Sequence, residues 1–278
     1  MTAEPSGSGD PLVSVIMPTR NNARYLDAAI GSLVDQTYRN WELIVVDDDS
    51  TDETPEVLSR LSKADSRIRP YRNETNLKQT RTRNFAVGEA VGVYIGQLDS
   101  DDERKPTSLE QQVQLLEANP DVVAVGTGCE WCDENMNRLN DRLYPTGDRE
   151  IRRTFMRYSP FCLPSVMIRA SALEQPAFDP AMEPAEDIDL AMRLGMKGKL
   201  ANLPEPLYRI RTHPRSVTQV GIRAMEKQTF RIRRKGVREY GYRATPGDLG
   251  WNAAQWATMY VMPGSLRFRL FNRMRATR

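Results

Sequence analysis

Three short apolar segments in the first hundred residues each end in a polar cluster, and this pattern most constrains the fold. The segments span residues 12–17, 41–46 and 93–98, and they suit strands buried on both faces of a parallel sheet. The clusters are Thr19-Arg20-Asn21, Asp47-Asp48-Asp49 and Asp99-Ser100-Asp101. Because ligands of open α/β sheets bind at the carboxyl ends of the strands, we expect these clusters to converge at one edge.

Helical periodicity separates the apolar segments. Residues 22–34 carry apolar side chains at i, i+3 and i+4 spacing, and residues 51–62 and 79–90 are also predicted to be helical. Further strands are predicted at residues 68–71, 122–126 and 165–169, and a helix with acids in its first turn begins near Ala185. The alternation predicts an α/β fold with a mostly parallel, Rossmann-like sheet flanked by helices.

Length and composition bound the organisation of the chain. Of the 278 residues, 40% are apolar, which is enough to form a sizeable core. The net charge is only +2, so the molecule as a whole is not expected to bind polyanions in general. Residues 1–10 are small, polar and acidic, which predicts a disordered leader without the features of a signal peptide. We expect the main domain at residues 11–220 and a basic helical extension at residues 221–278.

Cysteine usage bears on compartment and on metal binding. Three cysteines cannot all pair within one chain, which favours a reducing compartment and hence the cytoplasm. Cys129, Cys132, Cys162 and His213 are conceivable zinc ligands. A second closely spaced ligand pair is missing, and a strand would point Cys129 and Cys132 to opposite faces, so zinc is not predicted.

The acidic clusters have two readings from the residues alone. Asp99 and Asp101, presented by a turn after a buried strand, can face a hard divalent cation that also binds substrate phosphates. Asp48 can accept a hydrogen bond from a base or a ribose. The alternative is that these acids cap helices or form Asx-turns, and both readings stay open at this point.

Several ordered motifs resemble glycosyltransferase family 2, the inverting family with the GT-A fold. They span residues 14–21, 36–38, 42–52 and 94–102, and the resemblance extends in order from about residue 12 to about residue 216. The motifs are specific to the family and do not identify one sugar. The resemblance implies transfer of a sugar from a nucleotide diphosphate donor, with uridine as the usual nucleotide.

The resemblance also implies which residues bind the donor and the metal. Pro18, Thr19, Arg20, Asn21, Asp48 and Arg83 would hold the nucleotide, with Asp99 at the ribose and Ser100 in the same turn. Asp101 would bind Mn²⁺ or Mg²⁺, with Asp99 as a further ligand. His213 closes a segment similar to the family's Y-R-x-H, with one extra residue before the histidine, so it would ligate the metal or contact the diphosphate.

Glu186-Asp187 resembles the E-D pair of the family, which implies that Asp187 is the catalytic base. Inversion by a single displacement requires removal of the acceptor proton as its oxygen attacks, and one carboxylate can do this. Without the resemblance, Asp187 would be read as an acid that stabilises a helix N-terminus.

Four residues depart from the family pattern. Asp49 and Lys78 stand where glycine is usual, so Asp49 either avoids a positive φ or tolerates it. Lys78 is a candidate for reaching the diphosphate. Val93 replaces a glutamate, and Leu163 replaces a histidine before Pro-Ser, which leaves the acceptor side open.

The C-terminal extension is strongly basic. Residues 222–244 hold eight lysines and arginines against two glutamates, and residues 266–278 hold five arginines and no acid. Leu266, Leu270 and Met274 align at i, i+4 spacing. Three uses fit this pattern: peripheral contact with anionic lipid, a homodimer contact, or packing on the chain's own domain.

The favoured function is therefore a Mn²⁺- or Mg²⁺-dependent inverting glycosyltransferase, with a UDP-sugar preferred over other nucleotide sugars. The acceptor is a hydroxyl of unknown identity, either lipid-linked or on a glycan, and no nucleic-acid partner is expected. A sugar-phosphate nucleotidyltransferase is a first rival, but it usually needs a glycine-rich basic loop after strand one. The second rival is a binding module, which would have no need of a base.

Overall fold

The computed structural model describes residues 9–213 and 222–262, which fold around one mixed sheet. The strands are β1 (Val13–Thr19), β2 (Trp41–Asp47), β3 (Ile68–Arg72), β4 (Tyr94–Gln97), β5 (Glu103–Arg104), β6 (Val122–Cys132), β7 (Arg138–Arg142), β8 (Met167–Arg169) and β9 (Lys199–Arg211). The helices are α1 (Ala23–Val34), α2 (Thr54–Ala64), α3 (Gln79–Glu89), α4 (Ser108–Ala118), α5 (Asp148–Thr154), α6 (Glu186–Lys197), α7 (Ile222–Glu239) and α8 (Pro246–Val261).

The first half of the sheet is parallel, in the order β3-β2-β1-β4. Alternate residues of β1 face opposite sides, and both sides are apolar and buried, because helices cover each face. Val15 packs in a cluster with Leu26 of α1, whereas Ile16 packs in a cluster with Leu190 of α6. The predicted α/β class is therefore confirmed.

The second half of the sheet is mixed. The short strand β8 pairs antiparallel with both β4 and β6, and β9 runs parallel to β6. The edge strands β5 and β7 pair antiparallel with β9 and β6. Parallel pairing is thus limited to the first four strands and the β6–β9 pair among the described residues.

Some element boundaries differ from the sequence-based expectations. Strand β6 continues to Cys132, past the expected end at residue 126, because Gly126 and Gly128 lie at register shifts of the β6–β9 pairing rather than at a strand end. Helix α2 begins at Thr54, because the Asp52 carboxylate accepts the Thr54 N–H in the preceding turn. Of the strand expected at 165–169, only Met167–Arg169 pairs as a strand, since Leu163–Ser165 forms a 3-10 turn.

The described part of the C-terminal extension packs on the main domain. Ile232 and Tyr242 are buried in the same core cluster as Met192 of α6. Gly236 allows this approach, since a Cβ there would lie 2.1 Å from the Met192 Cε. The proposed boundary at residue 220 remains a prediction. The basic segment 266–278 and residues 1–8 of the leader lie outside the described residues.

Two further observations concern the cysteines and the length of the helices. Cys129, Cys132 and Cys162 are buried free thiols, and Cys129 lies 3.7 Å from the Tyr144 hydroxyl. Within residues 9–213 and 222–262, no helix combines the length and the apolar character needed to cross a bilayer.

Candidate active site

One cavity of about 740 Å³ at the carboxyl edge of the parallel strands is lined by all the residues proposed for the site. They come from the ends of β1, β2, β4 and β9 and from α3 and α6. The residues are Pro18, Thr19, Arg20, Asn21, Asp48, Arg83, Asp99, Ser100, Asp101, Asp187 and His213. The structure thus brings together all of the predicted site residues, while their individual roles remain predictions.

The end of β1 is tied to the end of β2 by Asn21. Its backbone N–H donates to the Ser50 hydroxyl at 2.9 Å, and its side-chain oxygen accepts from the Thr51 N–H at 2.8 Å. Next to it, the Thr19 hydroxyl is buried and has no hydrogen-bond partner within the described chain. A buried polar atom without a partner is costly, so Thr19 is suited to contact a ligand in the cavity.

Asp48 organises the loop that precedes α3. Its carboxylate accepts hydrogen bonds from the Asn73 amide at 2.7 Å, the Leu77 N–H at 2.9 Å and the Lys78 N–H at 3.0 Å. A carboxylate has about four acceptor positions, so one remains for a nucleotide. The contact of Asp48 with a base or a ribose stays a prediction. The hydrogen bonds show in addition that Asp48 holds the loop before α3 in place.

Lys78 has an unusual backbone conformation for a residue with a side chain. Its φ of 68° and ψ of 164° belong to a region that is essentially restricted to glycine. Asp49 also has a positive φ, of 61°, but aspartate tolerates the left-handed region better. Glycine is usual at both positions in the family that the sequence resembles, and Asp49 and Lys78 adopt backbone conformations that favour glycine.

Replacing Lys78 with glycine is expected to stabilise the protein by about 1 kcal/mol, because relief of backbone strain outweighs the greater freedom of glycine in the unfolded chain. Denaturant unfolding of the purified variants measures the change. Lys78→Ala is the matched control, since it removes the ammonium but keeps the strained backbone. A glycine variant no more stable than the alanine variant would contradict the strain argument. A simultaneous loss of nucleotide affinity would indicate that the ammonium contacts the donor.

The acidic turn after β4 concentrates negative charge at the centre of the cavity. Asn22 donates to the Ser100 hydroxyl at 2.8 Å, and Asp102 accepts the Arg211 N–H at 2.8 Å, so the turn is anchored to α1 and β9. Burial raises the pKa of Asp102 well above its usual value, and the Asp101 and Asp99 carboxylates raise it further. Burial also raises the pKa of Asp99, although the Arg83 guanidinium opposes this shift.

Asp101 and His213 form the pair that could hold a metal ion. Their Oδ2 and Nε2 atoms form a direct hydrogen bond of 2.9 Å, and the His213 ring lies 5.2 Å from that of Tyr25. Neighbouring ligands of an octahedral ion with bonds of about 2.1 Å are about 3 Å apart, so this spacing fits Mg²⁺ or Mn²⁺.

The rest of the coordination would have to come from outside the protein. In the described part of the chain, no three His, Cys, Asp or Glu side chains converge as a protein-enclosed metal site would require. Asp99, the third predicted ligand, faces Arg83 instead. An open site with two protein ligands suits an ion that keeps waters and takes substrate phosphate oxygens.

Arg83 connects the acidic turn to the first turn of α6. Arg83 is 5% exposed, and its guanidinium lies 3.2 Å from Asp99 and 3.0 Å from Glu186. Both acids therefore have a fixed cationic partner. The predicted nucleotide contact of Arg83 stays a prediction, and the observed geometry gives this residue a role in positioning the two acids.

Asp187 differs from Glu186 in its surroundings. Glu186 is 3% exposed and paired with Arg83, whereas Asp187 is half-buried and accepts the Ile188 N–H at 2.8 Å. Burial raises the pKa of Asp187 to about 7, Glu186 adds to the shift, and Arg83 opposes it. A carboxylate with a pKa near neutrality is suited to accept a proton.

Sequence reasoning missed part of the cavity wall. Helix α7, assigned to a separate extension, contributes Met225, Thr229 and Phe230 to the lining. The cavity is also lined by four aromatic residues from the chain after α4, namely Trp131, Tyr144, Tyr158 and Phe161. The mixed apolar and basic pattern of residues 222–240 was the available signal for α7, whereas no local motif marks the aromatic residues.

Residues 14–175 match the family model described as Glycosyl transferase family 2. A Haemophilus influenzae protein described as an uncharacterized glycosyltransferase is 32% identical over 240 residues, covering 83% of this chain and 74% of the relative. Escherichia coli WfgD, named a UDP-Glc:alpha-D-GlcNAc-diphosphoundecaprenol beta-1,3-glucosyltransferase, is 43% identical over 110 residues, covering 40% of this chain and 43% of WfgD.

Two solved structures share the fold. S. aureus TarS 1-349 in complex with UDP-GlcNAc has a TM-score of 0.67 at 19% identity, covering 82% of this chain and 66% of that chain. The mannosyltransferase PcManGT of Pyrobaculum calidifontis, in complex with GDP-Man and Mn²⁺, has a TM-score of 0.63 at 19% identity, covering 91% of this chain and 70% of that chain. The predicted GT-A type fold is therefore confirmed.

Proposed function

The chain belongs to glycosyltransferase family 2 and is a glycosyltransferase, and we propose that it transfers a sugar from a UDP-sugar to an acceptor hydroxyl with inversion at the anomeric carbon. One observation carries this proposal. The Asp101–His213 pair and the Asp187 carboxylate, which suit a metal and a base, line the same cavity.

The donor would occupy the side of the cavity formed by β1, β2 and α3. Thr19, with its unpartnered buried hydroxyl, Asp48, with one acceptor position left, and Arg20, exposed at the rim, are the proposed contacts. UDP is proposed because TarS was solved with UDP-GlcNAc and the name of WfgD specifies UDP-Glc. PcManGT binds GDP-Man, so other nucleotides belong in the same experiment.

Asp101 and His213 would hold Mn²⁺ or Mg²⁺. Such an ion, when bound, supplies positive charge to the diphosphate that leaves the sugar. PcManGT was solved with Mn²⁺, which supports a divalent metal without identifying the metal used here. The remaining residues of the turn, Asp99 and Asp102, are engaged by Arg83 and the Arg211 N–H.

Asp187 is the proposed base. As the acceptor oxygen bonds to C1 of the sugar, the bond from C1 to the diphosphate oxygen breaks, and the acceptor proton moves to the Asp187 carboxylate. Glu186 is a poorer candidate, since it is more deeply buried and already ion-paired with Arg83. A single displacement of this kind gives inversion.

The acceptor would bind against the aromatic residues of the cavity. Aromatic faces pack against the apolar faces of sugar rings, so Tyr144 and Phe161 suit a glycan acceptor. The name of WfgD specifies an acceptor sugar linked to diphosphoundecaprenol. This name supports testing lipid-linked acceptors first. The dimer considered from the sequence stays a prediction.

A thermal-shift panel of UDP, GDP, ADP and CMP, each with and without Mn²⁺, tests the donor. At 100 times its Kd a true ligand stabilises the fold by about 2.7 kcal/mol, or roughly 5–10 °C. We expect UDP with Mn²⁺ to give the largest shift. Indifference to every nucleotide would contradict the proposal. Once a sugar is identified, NMR of the product reports whether the anomeric configuration has inverted.

A further inference from the structure

Helix α7 carries a continuous basic stripe on its outer side. Five positions spaced by three or four residues fall within about 80° of one another at 100° per residue, and all five are exposed. They are Arg223, Lys227, Arg231, Arg234 and Arg238. The two acids of α7, Glu226 and Glu239, fall outside this arc.

The stripe differs from the other cations of α7. Arg233 is buried and donates to the Phe155 carbonyl at 3.0 Å, and Lys235 lies 3.3 Å from the buried Asp189. These two residues fasten the helix to the main domain. Within residues 9–213 and 222–262, by contrast, none of the five stripe residues forms an ion pair.

The stripe groups five cations that have no acidic partner among the described residues. Some exposed arginines elsewhere are ion-paired, as in Arg60–Asp27 at 2.7 Å and Arg24–Glu134 at 2.9 Å. Five adjacent like charges repel one another, and an external anionic surface would relieve that repulsion. The stripe is therefore better explained by a role in binding a partner than by a role in stabilising the fold.

The stripe lies beside the active-site cavity and beside exposed apolar side chains. Phe230, next to Arg231 in sequence, lines the cavity. Val237, which precedes Arg238 in sequence, is 43% exposed, and Leu249 of α8, the helix that contacts α7 through the Phe230–Trp256 ring pair, is 61% exposed. Cations next to exposed apolar groups suit the interface of a lipid bilayer, where both have favourable partners.

We propose that the α7 stripe, defined as Arg223, Lys227, Arg231, Arg234 and Arg238, docks the protein on an anionic lipid bilayer. Because α7 also forms a wall of the cavity, docking would hold the acceptor end of the active site close to the membrane surface. This second consequence rests on the proposed function, whereas docking itself does not. The arginine-rich residues 266–278 add charge of the same sign.

Sedimentation with vesicles of 30% phosphatidylglycerol and 70% phosphatidylcholine tests the docking surface in the full chain. Each lysine or arginine near an anionic surface contributes about five-fold to binding, so R231Q/R234Q/R238Q should weaken binding on the order of 100-fold. The control triple R39Q/K63Q/R149Q removes the same charge from exposed residues elsewhere and should leave binding close to that of the wild type. An unchanged circular-dichroism spectrum and melting temperature verify that each variant is folded.

Binding should also require phosphatidylglycerol and weaken as salt rises from 50 to 300 mM. Three outcomes would overturn the proposal: no sedimentation of the wild type at low salt, equal losses in the two triple variants, or displacement of the vesicles by a short RNA that binds more tightly. The nucleotide panel is independent of vesicles, so failure of docking and failure of the donor proposal are distinguishable.

Discussion

Replacing Asp187 with asparagine is expected to lower kcat by about 10²- to 10⁴-fold, the usual contribution of general acid–base catalysis, while nucleotide affinity is retained. The amide has nearly the same shape but cannot accept the acceptor's proton. Asp187 lies in the first turn of α6, whereas the proposed nucleotide contacts come from the ends of β1 and β2, from α3 and from the turn after β4. Initial rates with the identified donor, together with calorimetric titration of UDP, separate the two effects.

Glu183→Gln is a matched control for the loss of one carboxylate near α6. Glu183 lies four residues before Asp187 in the preceding loop and is not among the residues that line the cavity. Its replacement should leave kcat close to that of the wild type. Full turnover in the Asp187→Asn protein would show that Asp187 is not the base, and Glu186 would then be the next candidate.

The pH dependence gives a second readout of the same carboxylate. Burial and the neighbouring Glu186 raise the pKa of Asp187 to about 7, against the opposing effect of Arg83. The base must be deprotonated, so kcat/KM should fall about ten-fold per pH unit below that value and level off above it. In the Asp187→Asn protein, this inflection should disappear from the residual activity.

Site residues could be predicted from the sequence where they directly follow a buried strand. Asp48 and Asp99 each follow an apolar strand in sequence, and the parallel pairing of β2, β1 and β4 brings their carboxyl ends to one edge. Asp187 required the family resemblance as well, because an acid in the first turn of a helix has a common structural explanation.

Other contacts depend on packing between distant segments, which no local pattern reveals. Arg83 and Glu186 are 103 positions apart, and Asp102 accepts the Arg211 N–H from 109 positions away. The α7 wall was missed for a related reason. Its basic composition left membrane contact, a dimer contact and packing on the chain's own domain open, whereas Ile232, Gly236 and the buried Arg233 are the residues that attach it to the main domain.

Asp101→Ala and His213→Ala should each abolish the Mn²⁺ dependence of UDP binding and lower kcat/KM on the order of 10³-fold. A bound metal contributes several kcal/mol to stabilising transition-state charge, and each 1.36 kcal/mol corresponds to ten-fold in rate. The two side-chain atoms are 2.9 Å apart and would act as one site. Calorimetric titration of UDP with and without Mn²⁺ measures the dependence.

The double variant distinguishes a shared metal site from two separate contributions. If both side chains hold one ion, losing the second costs little after the first is gone, so the double variant should resemble either single variant. Asp35→Ala, which removes an exposed acid at the end of α1, should leave the Mn²⁺ dependence unchanged. Multiplicative losses in the double variant, or Mn²⁺-dependent UDP binding that survives in either single variant, would show that Asp101 and His213 do not bind a common ion.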